Sequence, residues 1–448
     1  MMNRKSNKLY KVRNIALSIS FILLLFNFGA TAQQLVLPGD HPDPSVVKIG
    51  NNYWASSTTS NWLPAFPLMK SKDLIHWKSE GYVFEQPPSW ADYYFWAPEI
   101  SYDKGKVYIY YAAHKKNGNL CVGVAKADKP EGPYTDLGPL ICQEDGSIDA
   151  FSIRDENGKL YLIWKEDANS INKPTPIWAR QMNEDRTALT GEKKELFRNS
   201  AKWEGNLVEG VSMMKHGKYF YTFYAASGCC GIACTYAVGV ARSESLLGPW
   251  EKYDRNPVMT NNNKWVCPGH GTPVEKNGRY YFLHHGYDKE TIPFTGRQGI
   301  LSEFKFTKND WVEFVKTSDT NTTTRAGITI DEFKNKKLSD NWQWSVFQNI
   351  KYKIKNATLQ LDALPAPGAY IGQKITSGNY EASVRIIINA STADAGIALI
   401  GDDENMVSLF YGNNKLNLYQ VKSKKEFKIS EKKIGLPKQL YLKLSATK

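Results

Sequence analysis

The sequence predicts an all-β protein of two domains, a five-bladed β-propeller followed by a β-sandwich. Beyond residue 32, short runs rich in Tyr, Val, Ile, Trp and Phe alternate with turns that contain Gly, Asn, Asp and Lys, a pattern typical of strands. A second observation is a unit that recurs five times, and a third is a change of pattern near residue 319. The length of 448 residues also favours two domains.

The repeated unit predicts the propeller. Each copy opens with a small or acidic cluster and continues with a short strand, a Gly-containing turn and a strand with paired aromatic residues. The clusters are residues 41–45, 96–99, 147–150, 208–210 and 269–272. The spacing of about 50 to 60 residues fits one four-stranded blade with its loops. The start of each first strand should therefore face one central axis.

The domain limits follow from composition. Residues 33–318 are predicted to form the propeller, and the polar stretch 319–327 is predicted to be a linker. Residues 328–448 show the alternation of a β-sandwich. Because the chain stops soon after its last predicted strand, we expect this sandwich to be incomplete. Packing support for the propeller is the favoured role of the second domain, with carbohydrate binding as the alternative.

Residues 1–32 are predicted to be a signal peptide. Basic residues precede an apolar run over residues 15–28, and the small residues Ala30 and Ala32 mark a cleavage site. A membrane anchor is the alternative, but the run is shorter than the roughly 20 residues that span a bilayer. We therefore expect a periplasmic or secreted protein that has no membrane association once the signal peptide is removed.

The net charge of +12 does not indicate nucleic-acid binding, because five of the basic residues lie in the predicted signal peptide and no arginine clusters follow. Aromatic residues make up 13% of the chain, which suits a protein that stacks sugar rings.

Six cysteines in an exported chain permit disulfides. Cys229, Cys230 and Cys234 share one loop, where a local disulfide is expected, although its pairing stays open. A metal site there is disfavoured because no histidine stands at ligand spacing. The isolated residues Cys121, Cys142 and Cys267 are expected to be small buried hydrophobes.

Three acids stand in the opening clusters. Asp43, Asp149 and Glu209 lie in small or apolar surroundings, unlike most acids of this chain. Such residues can simply cap backbone amides around a propeller channel. Three converging carboxylates, however, repel one another and raise a pKa, which is the arrangement that glycoside hydrolysis uses. We therefore interpret them as catalytic.

The order Asp-Pro-Ser, Trp-Ala-Pro-Glu, Ser-Ile-Asp, Glu-Gly and Gly-His, between about residues 39 and 299, resembles glycoside hydrolase family 43. The resemblance implies a five-bladed propeller and an inverting mechanism. It implies that Asp43 is the general base, that Glu209 is the general acid, and that Asp149 orients Glu209 and keeps it protonated. Inversion requires a base and an acid roughly 6.5 to 9.5 Å apart.

The same resemblance implies further site residues. His270 would approach a calcium ion directly or through water, with a channel hydrogen bond as the alternative. Arg297 would contact the sugar. Trp96 and Phe151 would border the pocket and stack on the sugar, although core packing explains them nearly as well. Glu204 is a rival for the acid, and the alignment of the repeats favours Glu209.

The predicted function is an exported inverting glycoside hydrolase that removes α-L-arabinofuranose or β-D-xylose from plant cell-wall polysaccharide. A catalytically inactive glycan-binding propeller is one alternative, and a galactosidase or endo-arabinanase of the same family is another. No cofactor is required for the chemistry, so the only metal to consider is a structural calcium. We expect a monomer whose partner is a polysaccharide or oligosaccharide. The sugar, the linkage and the choice between exo and endo cleavage stay open.

Overall fold

The computed structural model describes residues 33–231, 233–315, 327–365, 368–388, 393–402 and 404–447. The predicted signal peptide and most of the predicted linker lie outside these residues. Over the described part of the chain, no helix is both long and apolar enough to cross a membrane.

Five antiparallel sheets form the first domain. The first strand, β1 (Gln33–Leu37), belongs to the fifth sheet. Blade 1 contains β2 (Ser45–Ile49), β3 (Asn52–Ser56), β5 (Ala65–Ser71) and β6 (Trp77–Phe84). The short strand β4 (Trp62–Leu63) lies between β3 and β5 in the chain and is not part of this sheet. Blade 2 contains β7 (Trp96–Asp103), β8 (Lys106–His114), β9 (Leu120–Ala127) and β10 (Thr135–Cys142).

The remaining blades follow the same plan. Blade 3 contains β11 (Ser147–Arg154), β12 (Leu160–Glu166), β13 (Pro176–Met182) and β14 (Leu189–Arg198). Blade 4 contains β15 (Val208–His216), β16 (Tyr219–Ala226), β17 (Ala237–Ser243) and β18 (Glu251–Lys252). Blade 5 contains β19 (Trp265–Lys276), β20 (Arg279–Asp288), β21 (Arg297–Phe306) and β22 (Val312–Phe314). Short helical turns in the loops are Ala168–Ile171, Lys202–Glu204 and α1 (Ile292–Thr295).

The five blades form a closed ring. The first strands contact one another in the cycle β2, β7, β11, β15, β19 and back to β2. The strand β1 pairs with β21, so the two ends of the domain join in one sheet. Five apolar clusters fill the spaces between neighbouring blades. Each large side chain buried there contributes about 1.5–3 kcal/mol. The predicted five-bladed propeller is confirmed.

The inner strands share a local irregularity where they begin. The pairing register of β7, β11, β15 and β19 shifts near the first residues of each strand. The residue at each shift has a left-handed backbone: Ala97, Asp149, Gly210 and His270, with φ of 45°, 55°, 61° and 28°. Asp43, just before β2, has φ of 50°. A bulge of this kind re-aims a side chain, and here it recurs around the axis.

The second domain is also built from strands. They are β23 (Trp344–Ser345), β24 (Tyr352–Lys355), β25 (Thr358–Leu361), β26 (Tyr380–Ile387), β27 (Ala395–Asp402), β28 (Asn405–Gly412), β29 (Lys415–Lys422), β30 (Lys425–Lys433) and β31 (Gln439–Ala446). The strands β27 to β30 form a four-stranded sheet, and β26 pairs with β31. The strand β23 pairs with β4 of the propeller, which joins the two domains.

All six cysteines are paired, as Cys121–Cys142, Cys229–Cys230 and Cys234–Cys267. The local disulfide expected in the loop is present. The expectation that Cys121, Cys142 and Cys267 are unpaired hydrophobes is wrong. Cys121 and Cys142 stand opposite each other on β9 and β10, and Cys267 on β19 lies beside the loop that carries Cys234. The first pair depends on strand pairing and the second on the approach of a loop to β19, and sequence spacing reveals neither.

Candidate active site

Asp43 lies where the chain enters blade 1, and both oxygens of its carboxylate are held by hydrogen bonds. Its Oδ2 accepts a hydrogen bond from Thr58 Oγ1 at 2.7 Å, and its Oδ1 is 3.0 Å from Arg297 Nη1. Burial alone would raise the pKa of this carboxyl, but the Arg297 guanidinium holds the pKa well below its usual range. Asp43 is therefore a carboxylate that stays ionised, as a general base must.

His285 supports the backbone of Asp43. The Asp43 amide donates to His285 Nδ1 at 3.1 Å. Burial lowers the pKa of His285 to about 4, so the ring is neutral near pH 7. A ring nitrogen that accepts an N–H cannot also donate to a carboxylate, although Asp43 Oδ1 is only 3.3 Å away. We therefore assign the charge that stabilises Asp43 to Arg297.

Glu209 is held by a buried lysine. Lys165 Nζ is 2.6 Å from Glu209 Oε2 and 2.8 Å from Asp167 Oδ1, and Tyr236 Oη donates to Glu209 Oε1 at 2.8 Å. The Lys165 side chain is only 1% exposed. Burial raises the pKa of Glu209, but the Lys165 ammonium outweighs it and lowers the pKa. This acid therefore has a cation ready to stabilise the carboxylate that proton donation creates.

Asp149 carries the raised pKa instead. Its Oδ2 accepts a hydrogen bond from the Gly210 amide at 2.9 Å and lies 3.9 Å from His270 Nδ1. Burial raises its pKa to about 6, with His270 opposing and the charge of Glu209 adding to the rise. We expected Asp149 to keep Glu209 protonated. The structure places the perturbation on Asp149, because Lys165 contacts Glu209 and not Asp149.

Glu209 does not occupy the same position as the other two acids. Asp43, just before β2, and Asp149, on β11, both have a left-handed backbone, whereas in blade 4 the left-handed residue is Gly210. A Cβ at Gly210 would lie 2.9 Å from His270 Cγ, so only glycine fits there. Glu209 therefore comes one residue earlier, which corrects the expectation that all three acids are equivalent.

His270 lies between two of the acids. Its Nδ1 is 3.6 Å from Asp43 Oδ1 and 3.9 Å from Asp149 Oδ2. Within the described residues, no group of three or more His, Cys, Asp or Glu side chains is placed to hold a metal ion. Because calcium takes six to eight oxygen ligands, an ion at His270 would draw most of them from water or from the backbone. The channel hydrogen bond and the structural calcium therefore both stay predictions.

The predicted sugar contacts differ in their surroundings. Trp96 is half-buried, stacks on Tyr94 at 4.4 Å between ring centroids and donates through Nε1 to Ser60. Part of the Trp96 ring is therefore exposed, at the start of the inner strand of blade 2. Phe151 is buried in the cluster between blades 3 and 4, so the core-packing alternative describes its contacts. Arg297 pairs with Asp43 and 17% of its side chain is exposed, so its contact with a sugar stays a prediction.

Glu204, the rival acid, is a structural residue. Its fully buried carboxylate pairs with Lys252 at 2.7 Å and accepts the hydroxyl of Tyr224 at 2.7 Å. The amides of Ser200 and Ala201 also donate to it. None of these partners belongs to the site, so the preference for Glu209 is supported.

Another buried carboxyl, that of Glu99, lies two residues beyond Ala97 at the bulge of blade 2. Glu99 Oε2 accepts a hydrogen bond from Thr272 Oγ1 at 3.1 Å. Burial raises the pKa of Glu99 to about 8 against this hydrogen bond, so the group is mostly neutral near pH 7. Glu99 therefore adds little negative charge to the three carboxylates.

Sequence reasoning missed the residues that hold the acids: Thr58, Lys165, Tyr236 and His285. They come from second strands or from loops that follow them, and not from the opening clusters. One signal was available. Lys165 is the only charged residue before the last position of the apolar strand Leu160–Glu166, and a buried lysine needs a buried anion.

Comparison with protein families matches the description "Glycosyl hydrolases family 43" over residues 32–312. A second description, "Beta xylosidase C-terminal Concanavalin A-like domain", matches residues 330–448. The first match covers more than half of the chain, so this protein belongs to glycoside hydrolase family 43. The predicted family and the predicted β-sandwich, which the second description names as concanavalin A-like, are confirmed, whereas the finer domain limits stay predictions.

Relatives with assigned names support the same family. The chain is 28% identical over 273 residues to a xylan 1,3-beta-xylosidase of Vibrio, a match that covers 57% of this chain and 49% of that protein. It is 24% identical over 425 residues to a non-reducing end alpha-L-arabinofuranosidase of Bacteroides ovatus, with 85% and 75% covered. The chain thus spans only about half the length of the Vibrio relative.

Among solved structures, a xylan beta-1,4-xylosidase of Bacillus halodurans superimposes with a TM-score of 0.78 at 22% identity. The alignment covers 92% of this chain and 87% of that one. At this identity the likeness supports the fold, and it extends over both domains.

Proposed function

We propose that this protein is an exported, inverting glycoside hydrolase that removes α-L-arabinofuranose or β-D-xylose from plant cell-wall polysaccharide. The main support for the proposal is that the carboxyl groups around one axis differ in their pKa shifts. Asp43 is kept ionised by Arg297, while burial and the charge of Glu209 raise the pKa of Asp149 to about 6, so that the two sides of the site differ in ionisation. A base and an acid in one pocket are what glycoside hydrolysis requires.

The base acts first on water. The Asp43 carboxylate accepts a proton from a water molecule, which attacks the anomeric carbon on the face opposite the leaving oxygen. Thr58 and Arg297 fix the two oxygens of the carboxylate and so hold it in one orientation. The acceptor therefore needs little reorganisation during the reaction.

The acid acts on the leaving oxygen. Glu209 donates its proton to the glycosidic oxygen as the C–O bond breaks. Lys165 and Tyr236 then stabilise the Glu209 carboxylate that remains. Lys165 stabilises the carboxylate that forms when Glu209 donates its proton, so it lowers the barrier to proton donation. The same positive charge lowers the pKa of Glu209.

The choice of sugar rests on the relatives. One relative that matches 85% of this chain is named a non-reducing end α-L-arabinofuranosidase, and others are named xylosidases. We therefore propose release of terminal pentose units, with α-L-arabinofuranose as the first substrate to test. Export is proposed from the composition of residues 1–32.

The test is hydrolysis of aryl α-L-arabinofuranoside, β-D-xyloside and β-D-galactoside. The wild type should cleave a pentoside, and Asp43→Asn and Glu209→Gln should each lower kcat by about 100-fold or more. Matched controls are Asp185→Asn and Glu192→Gln, which change exposed acids outside the site and should keep full activity.

Two results would overturn the proposal. Cleavage of the galactoside alone would contradict the pentose assignment. Binding of oligosaccharides by the wild type without hydrolysis of aryl glycosides or polysaccharides would favour the glycan-binding alternative.

A further inference from the structure

The loop between β16 and β17 carries a disulfide between adjacent residues, Cys229 and Cys230. Cys229 is half-buried and Cys230 is exposed. The loop is already tied down elsewhere, because Cys234 is bonded to Cys267 on β19 and the Gly231 amide donates to Tyr287 Oη at 3.1 Å.

This disulfide has little to contribute to stability. Cross-links that close a longer chain segment stabilise a fold more, although only with the logarithm of the segment length. The other two pairs are 21 and 33 residues apart, whereas Cys229 and Cys230 are neighbours. The Cys229–Cys230 bond closes a small ring through two adjacent residues. This ring fixes the directions in which the two sulfur atoms point.

The position of the ring relates it to the proposed acid. Cys229 packs against the apolar cluster that includes Leu207, Tyr236 and Tyr287. Tyr236 donates its hydroxyl to Glu209 Oε1 at 2.8 Å. One tyrosine thus contacts the acid and belongs to the cluster on which the disulfide rests, and Cys230, the next residue, is exposed.

We propose that the Cys229–Cys230 disulfide is part of a binding site for the sugar residue on the leaving-group side of the cleaved bond. The inference rests on the proposed function, because the general acid must face the leaving oxygen. Disulfide sulfur is apolar and polarisable, so it suits the C–H face of a sugar ring. Because the disulfide ring is rigid before the sugar binds, it loses little conformational entropy on binding.

The experiment compares two substrates of the preferred pentose in the full chain. The glycosyl fluoride has no sugar on the leaving side, whereas the oligosaccharide has one. The double variant Cys229→Ser/Cys230→Ser should lower kcat/KM for the oligosaccharide by about tenfold, mainly through KM, and leave the fluoride within about twofold. The control variant Cys121→Ser/Cys142→Ser removes a disulfide of blade 2 and should not change the ratio between the two substrates.

Failure of this inference can be distinguished from failure of the proposed function. An unchanged ratio, or an equal loss on both substrates, would overturn the inference. If the wild type hydrolyses neither substrate, the proposed function fails, and calorimetry of oligosaccharide binding then decides the inference: equal affinity of the wild type and the Cys229/Cys230 variant contradicts it. Thiol labelling of the unreduced wild type should detect no free thiol, and labelling of Cys229 or Cys230 would also overturn it.

Discussion

Asp43 and Glu209 are both buried carboxylates, yet their nearest cations serve different steps. Arg297 keeps Asp43 ionised before the reaction, which a base needs. Lys165 favours the ionised form of Glu209, which is the form that exists after the acid has donated its proton. Burial and the charge of Glu209 raise the pKa of the neighbouring Asp149 to about 6, so each of these two carboxyl groups influences the titration of the other.

Removing Lys165 should shift the pH profile. In Lys165→Met the cation that favours ionised Glu209 is lost, so the pKa of the acid rises and protonated enzyme persists to higher pH. The alkaline limb of kcat/KM should move up by about 1 to 3 units, while kcat at the optimum falls. An unchanged alkaline limb in the kcat/KM profile would contradict the role given to Lys165.

Removing the charge of Arg297 should act on the opposite limb. Without the guanidinium, the pKa of Asp43 rises towards its usual range or above it, because burial is no longer offset. The acidic limb of kcat/KM for Arg297→Met should therefore move to higher pH by about 1 unit or more. Arg297→Lys, which keeps the charge, is the matched control and should shift the limb less; equal shifts in both variants would refute the electrostatic role.

At the scale of the strands, a bulge near the start of four of the five inner strands, β7, β11, β15 and β19, places the site. The backbone at Asp149 and at His270 is left-handed, and the His270 ring lies near the carboxylates of both Asp43 and Asp149. In blade 4 the equivalent residue is Gly210, which accommodates the ring of His270. The acid therefore stands one residue earlier, beside Lys165 and Tyr236.

A substitution on β19 tests this strand geometry. A Cβ on Gly269 would lie 2.1 Å from Tyr236 Cδ1, and the ring is buried with no space to retreat. Gly269→Ala should displace the hydroxyl that contacts Glu209, lower kcat about tenfold or more and cost about 1–3 kcal/mol of stability. Gly118→Ala, whose nearest neighbour is the flexible side chain of Lys115, should do neither. Full activity of Gly269→Ala in the aryl glycoside assay would disprove the positioning role of Tyr236.

The sequence predicts the blades and the three acids because each inner strand repeats its local pattern. It does not predict Thr58, Lys165 or His285, because these residues lie on or after second strands. Their approach to the axis depends on the pairing register. The one-residue offset of Glu209 was also hidden, since the bulge is defined by pairing with β16 and not by β15 alone.

At the scale of the whole molecule, the second domain is packed into the propeller and not merely tethered to it. Trp344 and Val346 contact the cluster between blades 1 and 2, and the Val346 amide donates to the Asn61 carbonyl at 2.8 Å. Lys374 Nζ donates to the Asp40 carbonyl at 2.6 Å, and the Asp40 side chain accepts the amide of Arg297. The second domain thus reaches the segment that positions the base.

Trp344→Ala tests whether this interface stabilises the protein. Removing the half-buried indole should cost about 2 kcal/mol or more and lower the melting temperature measured by calorimetry. Phe427→Ala removes an exposed ring of the second domain, 48% accessible, and should leave the melting temperature nearly unchanged. Equal effects of the two variants would indicate that the domains do not stabilise each other through β23.

The central claim is that Asp43 activates water while Glu209 protonates the leaving group, which requires inversion at the anomeric carbon. Proton NMR during the first minutes of hydrolysis of the preferred pentoside, before the sugar mutarotates, measures this directly. The account predicts that the first sugar released has the opposite anomeric configuration to the substrate. A first product that keeps the configuration of the substrate would contradict the account, because it requires a covalent intermediate and a carboxylate that acts as a nucleophile.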